Sequence, residues 1–319
     1  MYKKNLFSFK SIQVELSKDP VNYIDIGARG KLGEPWNMLD DSSINVIGFE
    51  PDRKAFEVLC DKAKSNRKYH NIALWDSQSE LKLYLTKSAA ASSVFEPNIE
   101  LLSSTFANRH WNTRAVESTT TIATDKLDSV LSNSSSDFMK VDVHGAEFQI
   151  LEGAKEALKG TLGVFVEAWA LEAHKGQRLF GDVFNLLYNE GFFLHKINSD
   201  YMAWKNINEE SYGAESSRQP VGINLFFLKR AELIQGEEKI LKAIVIAESY
   251  GILGYALSLN KRLENSELQL FIENRIKERI SNTRKPRYKY YSLLIQKLIK
   301  RISKFNERSS SDYYEPDFK

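Results

Sequence analysis

The chain has 319 residues, 42% hydrophobic and 12% aromatic, with 44 Lys and Arg against 42 Asp and Glu. That apolar content suffices for a full core and excludes a globally disordered chain, and the near balance of charge argues against a nucleic-acid-binding protein. A single cysteine, Cys60, excludes an internal disulfide framework, and no Cys/His cluster has zinc-ligand spacing.

Residues 1–20 read as a helical lead-in without an apolar run of signal-peptide length, and no stretch approaches the roughly 20 apolar residues that span a bilayer. A cytoplasmic location is therefore the expectation. From residue 21 to about 230, short apolar runs alternate with helical patterns, the signature of βαβ units and a parallel sheet. Residues 21–26 predict a first strand, broken by Gly27. Residues 45–50 predict a second, followed by a helix over 53–64. A third strand is expected over 69–74. Residues 80–86 alternate Leu81, Leu83 and Leu85 with more polar neighbours, so they predict a half-buried strand. Residues 87–118 read as a long irregular excursion of the kind that forms lids and binding loops. A strand and short helix over 119–131 and a polar turn over 132–136 follow. Then come a strand over 138–143, a helix over 146–159, a strand over 163–167, a helix over 181–189, and strands over 192–197 and 222–229. The sum is a doubly wound, mostly parallel α/β sheet of about seven main strands.

Three segments carry chemistry. The first strand ends in Asp25-Ile26-Gly27-Ala28-Arg29-Gly30, where small residues let the backbone approach a ligand at the carboxyl edge of the sheet. The spacing is not the dinucleotide fingerprint, which argues against a nicotinamide-binding oxidoreductase. Glu50 ends the second strand, where a carboxylate can accept both hydroxyl hydrogen bonds of a ribose. Together these point to a bound nucleoside. The third segment, residues 137–147, reads DFMKVDVHGAE. Strands covered on both faces are nearly continuous in apolar residues, yet Lys140 and Asp142 interrupt this one on the same side. They are either a structural ion pair or ligand-facing groups. His144 follows at the same parity and points to the expected cleft. Glu147, in the first helical turn, is read as helix-stabilising. Glu167 closes the next strand at the same edge.

These residues, with Thr124-Asp125-Lys126-Leu127-Asp128 and the strand over 222–229, resemble the FkbM family of S-adenosylmethionine-dependent methyltransferases across residues 20–230. The sequence departs from the family at His144, where an acidic residue is common. The resemblance implies a class I methyltransferase fold and S-adenosylmethionine as cofactor. Asp25, Gly27, Ala28 and Gly30 would line its methionine and ribose end, Glu50 the ribose hydroxyls, Ala73 the adenine, and Asp142 the sulfonium. It also implies an acceptor oxygen, often a sugar hydroxyl of a surface polysaccharide or glycoconjugate. For deprotonating that hydroxyl His144 is the first candidate, because an imidazole titrates near neutral pH; Glu167 and Lys140 follow, the lysine only if burial lowers its pKa. Asp142 and Glu167 also offer oxygen ligands to Mg²⁺, although transfer without metal is the expectation. Trp36, His110, Trp111, Trp169 and His174 are placed near the same edge, as sugar-stacking or core rings. N-methylation, a small-molecule acceptor, and a noncatalytic nucleoside-binding or assembly module are the alternatives.

Beyond residue 230 the pattern turns helical and basic, with 17 Lys and Arg against 12 Asp and Glu, compared with 27 against 30 before it. Residues 231–319 are therefore expected to be a helical extension. Within it, 284–304 holds eight basic and no acidic residues interleaved with Tyr, Leu and Ile. Such a helix suits packing on its own domain or a second subunit, and also suits peripheral contact with an anionic membrane.

Overall fold

The computed structural model describes residues 16, 18–107, 111–131, 135–204 and 218–281. Seven strands form the main sheet. In chain order they are β1 (Val21–Ile26), β2 (Ile44–Phe49), β3 (Arg67–His70), β7 (Phe138–Val141), β8 (Gly163–Trp169), β9 (Phe192–Ala203) and β10 (Arg218–Lys229). Their spatial order is β3-β2-β1-β7-β8-β10-β9. All neighbours are parallel except β10, which runs antiparallel to both β8 and β9. The order reverses between β1 and β7, and in open α/β sheets that switch point opens a crevice at the carboxyl ends of the strands.

The third strand expected over 69–74 is two. After β3 the chain leaves the main sheet, and β4 (Ala73–Leu74) joins β5 (Ser79–Thr86) and β6 (Val116–Asp125) in a separate three-stranded sheet, order β4-β6-β5. Most of the excursion expected over 87–118 joins β5 to β6, and it holds a helix, α2 (Ile99–Thr105), whose N-cap Asn98 accepts from the Leu101 N–H at 3.2 Å. Helix α1 (Arg53–Asp61) follows β2 and is capped by Asp52, which accepts from Lys54 N. Helix α3 (Leu127–Leu131) follows β6. The helix expected over 146–159 is a pair, α4 (Glu147–Glu152) and α5 (Lys155–Gly160). The break falls at Gly153, where a Cβ would lie 2.1 Å from the Trp75 carbonyl oxygen. Helix α6 (Phe180–Asn189) precedes β9.

One face of the main sheet buries Ile24, Ile26, Met139, Val141, Val164, Val166, Leu225 and Phe227 against Ile150, Leu151, Leu158 and Leu187 of α4, α5 and α6. The other face carries Tyr23, Phe138 and Phe226, with Tyr250 stacked on Phe226 at 4.0 Å and on Phe138 at 5.7 Å. Tyr250 ends helix α7 (Glu237–Ser249), whose residues 240–249 are all buried. A helix buried on every side, with its one buried lysine paired to Asp137, belongs inside a fold. The chain divides into two compact units, and the first, 1–265, includes α7 and α8 (Leu253–Asn260). The second unit, 266–319, contains a helical stretch over 266–281 with Ile272 and Ile276 fully buried. The lead-in over 1–15, His110 and the basic segment 284–304 lie outside the described residues. Among the described residues no helix is long and apolar enough to cross a membrane.

Candidate active site

A cavity of about 200 Å³ opens at the switch point. It is lined by Gly27, Glu50 and Asp142 from the ends of β1, β2 and β7, by Ile72 after β3, and by Ala73 and Leu74 of β4. Leu83, Leu85 and Ile122 of the small sheet complete an apolar wall, and the segment 89–94 covers the rest.

The turn after β1 is built for close approach. Gly27 has φ 76°, and a Cβ there would lie 2.1 Å from the Asp142 carbonyl oxygen, so no side chain fits. Gly27 N and Ala28 N both donate to the Phe49 carbonyl, which ties the turn to the end of β2. Glu50 is 6% exposed. One of its oxygens accepts from Asp52 N at 2.8 Å, and the other faces the Arg29 guanidinium at 3.9 Å. Burial raises its pKa, and the Asp52 amide and Arg29 oppose that rise. Arg29 is fixed in turn by Asp52 at 2.8 Å.

Lys140 lies between two carboxylates. The register pairs Asp25 with Lys140 across β1 and β7. The ammonium lies 3.3 Å from Asp25, 3.5 Å from Asp142 and 3.3 Å from the Gly27 carbonyl, to which it donates. Burial would lower its pKa, but the two carboxylates outweigh burial and raise it. Lys140 is therefore a cation held between two carboxylates. Asp25 is itself pushed up by burial, against the pull of Lys140.

His144 stands in the left-handed region at φ 59°, followed by Gly145 at φ 114°. The turn is held by Glu147, whose buried carboxylate accepts from Val143 N at 3.2 Å and from Gly145 N at 2.9 Å. Burial drives the Glu147 pKa up to about 7 despite those bonds. The ring of His144 turns back to β8, with Nδ1 3.4 Å from Glu167 Oε2. Burial lowers its pKa, with Asp142 opposing, so the ring is neutral at neutral pH. Glu167 is pushed up to about 9, first by burial and then by the charge of Asp142. Asp142, His144 and Glu167 thus converge on one point.

Of the positions expected to hold cofactor, Gly27, Glu50, Ala73 and Asp142 line the cavity; Asp25, Ala28 and Gly30 stand behind it. Ala28 is buried in the turn, and Gly30 has open space around it. The aromatic residues separate. Trp36 is not at the cleft: it packs on Tyr23 and Phe138 and donates to Tyr250 Oη at 2.9 Å, in the core beneath α7. Trp169 is 1% exposed, too buried to stack on a ligand, and Trp111 packs against the cluster around it. His174 is wholly buried, bonded through Nδ1 to Gln177 at 2.8 Å, and burial drives its pKa down to about 3. Arg29 lies in the first strand-end motif and the segment 89–94 and Arg114 lie in the excursion expected over 87–118, but sequence reasoning assigned none of them a role at the site.

The family model of the methyltransferase FkbM domain matches residues 25–194. No curated protein sequence matches the chain. Among solved structures the chain is similar to magnesium protoporphyrin IX methyltransferase from Synechocystis PCC 6803 with bound SAM. The two share 10% identity over 70% of this chain and 78% of that one, with a TM-score of 0.34. It is similar to a TehB-like SAM-dependent methyltransferase from Corynebacterium glutamicum at 11% identity, over 68% and 87% of the chains, TM-score 0.29. A third is the N-terminal domain of EvdMO1 in the presence of SAH and D-fucose, at 8% identity, 71% and 84% coverage and TM-score 0.31.

Proposed function

The chain belongs to the FkbM methyltransferase family, and from that premise we propose that it carries a methyl group from S-adenosylmethionine to a hydroxyl oxygen of a carbohydrate. The observation that carries the reading is the switch-point cavity, which has a buried ribose-type carboxylate, Glu50, on one strand end. Asp142, with its unsatisfied neighbours His144 and Glu167, lies two strands away.

The residues fit the cofactor. Glu50 keeps one oxygen for its own turn and presents a second, partly engaged by Arg29, to a pair of ribose hydroxyls. Ile72, Ala73, Leu74, Leu83, Leu85 and Ile122 supply an apolar slot of the kind an adenine ring needs. Gly27 admits the chain of the ligand between Glu50 and Asp142 because it has no side chain there. When bound, S-adenosylmethionine supplies an electrophilic sulfonium methyl. The protein's part is to place the acceptor oxygen in line and to take up its proton. Lys140 holds Asp25 and Asp142 in place for this but keeps its own proton. The groups that can receive one are His144, neutral through burial, and the Asp142 carboxylate; Glu167, pushed up to about 9, already holds a proton at neutral pH. The carbohydrate acceptor rests on the family resemblance, whose members mostly methylate oxygen.

Calorimetric titration with S-adenosylmethionine, S-adenosylhomocysteine and NAD⁺ tests the cofactor. Saturable binding of the first two and not the third is the expected result. Transfer of labelled methyl from S-adenosylmethionine to a panel of polysaccharides, free sugars and amines then tests the acceptor. Label entering only amines overturns oxygen transfer. NAD⁺ binding alone overturns the whole reading, and binding of none of the three favours a noncatalytic module.

A further inference from the structure

We infer that Asp142, His144 and Glu167 form a site for one divalent cation of the Mn²⁺ or Mg²⁺ class, on the acceptor side of the cavity. Its use in methyl transfer rests on the function proposed above; its existence does not.

The three side chains come together by backbone design. Register pairs Val141 with Val166, so Asp142, the next residue after β7, stands beside Glu167 on β8. The left-handed turn at His144, clamped by the Glu147 carboxylate through two backbone amides, brings the ring to the same point. One ligand atom from each of the three lies within 4.8 Å of the other two. Cis ligands at about 2.1 Å on an octahedron are about 3 Å apart, so a contraction of small side-chain rotations suffices.

The second observation is what these atoms lack. Glu167 is 9% exposed, and its Oε2 is buried with no hydrogen-bond partner. His144 Nδ1, 3.4 Å away, is also buried and has no hydrogen-bond partner. Asp142 turns one oxygen to Lys140 at 3.5 Å. Glu167 Oε2 and His144 Nδ1 therefore face each other with no hydrogen-bond partner among the described residues, although the charge of Arg114 reaches Glu167. Leaving such acceptors buried and unmet costs free energy, and a bound cation removes the deficit. Two carboxylate oxygens and one imidazole form a mainly hard donor set that suits Mn²⁺ or Mg²⁺. Glu147 supplies the outer support that metal ligands commonly have, since it fixes the turn carrying His144.

Three protein ligands leave positions for water or for acceptor oxygens, and two of the ligands, Asp142 and His144, line the cavity. An acceptor hydroxyl bound there becomes more acidic. In the overall step the hydroxyl and the sulfonium give the methyl ether, the thioether and one released proton. The C–O bond forms as the C–S bond breaks, and no oxidant or reductant enters.

The full chain is stripped with a chelator, dialysed, and titrated with Mn²⁺ alone. Free Mn²⁺ is followed by its paramagnetic resonance signal and the heat by calorimetry. One Mn²⁺ per chain is expected to bind saturably. Glu167→Gln and His144→Ala should each weaken binding on the order of tenfold or more, with thermal melts showing that both variants are folded. The inference is overturned if folded wild-type protein binds no Mn²⁺, or if both variants bind it as wild type does. Undiminished methyl transfer in excess chelator removes the cation from the reaction and leaves the methyltransferase reading intact. Mn²⁺ held by these side chains with no transfer to any acceptor keeps the site and overturns that reading instead.

Discussion

Strand β7 has a cluster of ionisable side chains at each end, and the two are built differently. At its start, Asp137 is wholly inaccessible, and every need of its carboxylate is met. One oxygen accepts from Lys239; the other accepts from Lys242 at 3.0 Å and from the Asn22 backbone at 2.9 Å. Lys239 and Lys242 belong to α7, so this cluster fastens the helix to the sheet. At its finish, Asp142, His144 and Glu167 come together with Lys140 beside Asp142 and the charge of Arg114 acting on Glu167, yet Glu167 Oε2 and His144 Nδ1 have no hydrogen-bond partner. Asp137 and Glu167 are both buried carboxyl groups. What separates scaffold from site is whether donors match acceptors, and burial by itself does not reveal it.

The largest expected effect is at the matched end. Asp137→Ala leaves Lys242, whose side chain is 4% exposed, with only Asp19 as partner, and should cost about 3–5 kcal/mol in urea unfolding. Activity per folded molecule should not change. At the unmatched end the pattern should invert. Glu167→Gln should leave unfolding within about 1 kcal/mol of wild type while lowering methyl transfer about a hundredfold. If both substitutions behave alike, in stability and in rate, the contrast between the two ends is wrong. A smaller effect is expected beside the cleft, where Glu50→Gln should weaken S-adenosylhomocysteine binding roughly ten- to a hundredfold by calorimetry.

The smallest effect sharpens a second pairing, His144 against His174. Burial holds the folded pKa of His174 at about 3, below its ordinary 6.5. The folded state therefore resists a proton that the unfolded chain accepts. The contribution to stability is present above pH 6.5 and is lost as pH falls toward 3. His174→Gln should flatten that part of the stability-against-pH curve, read by thermal melts at stepped pH.

Much of the cavity could be read from strand ends. Gly27, Glu50, Asp142, His144 and Glu167 each follow or close an apolar run, and parallel sheets place such residues on one edge. What escaped the sequence depends on contacts distant along the chain. Asp25 as a partner of Lys140 requires β1 and β7 to be neighbours, a fact of topology. The alternation of Leu81, Leu83 and Leu85 marks a half-buried strand, but nothing local says that it walls the cavity from a separate sheet. Trp36 looks like a cleft residue until its indole meets Tyr250, 214 positions later. Helix α7 covers the sheet, but its apolar residues fit an appended bundle equally well, and burial of all of residues 240–249 is a fact of packing that the sequence does not show.

Lys140 touches Asp25 behind the cofactor turn, the Gly27 carbonyl within it, and Asp142 on the acceptor side. A single cation shared among these groups makes the two halves of the cleft one electrostatic object. A charge arriving at either half alters what Lys140 offers the other. Thermodynamic linkage then requires reciprocity: whatever factor the methyl donor imposes on acceptor affinity, the acceptor must impose on donor affinity.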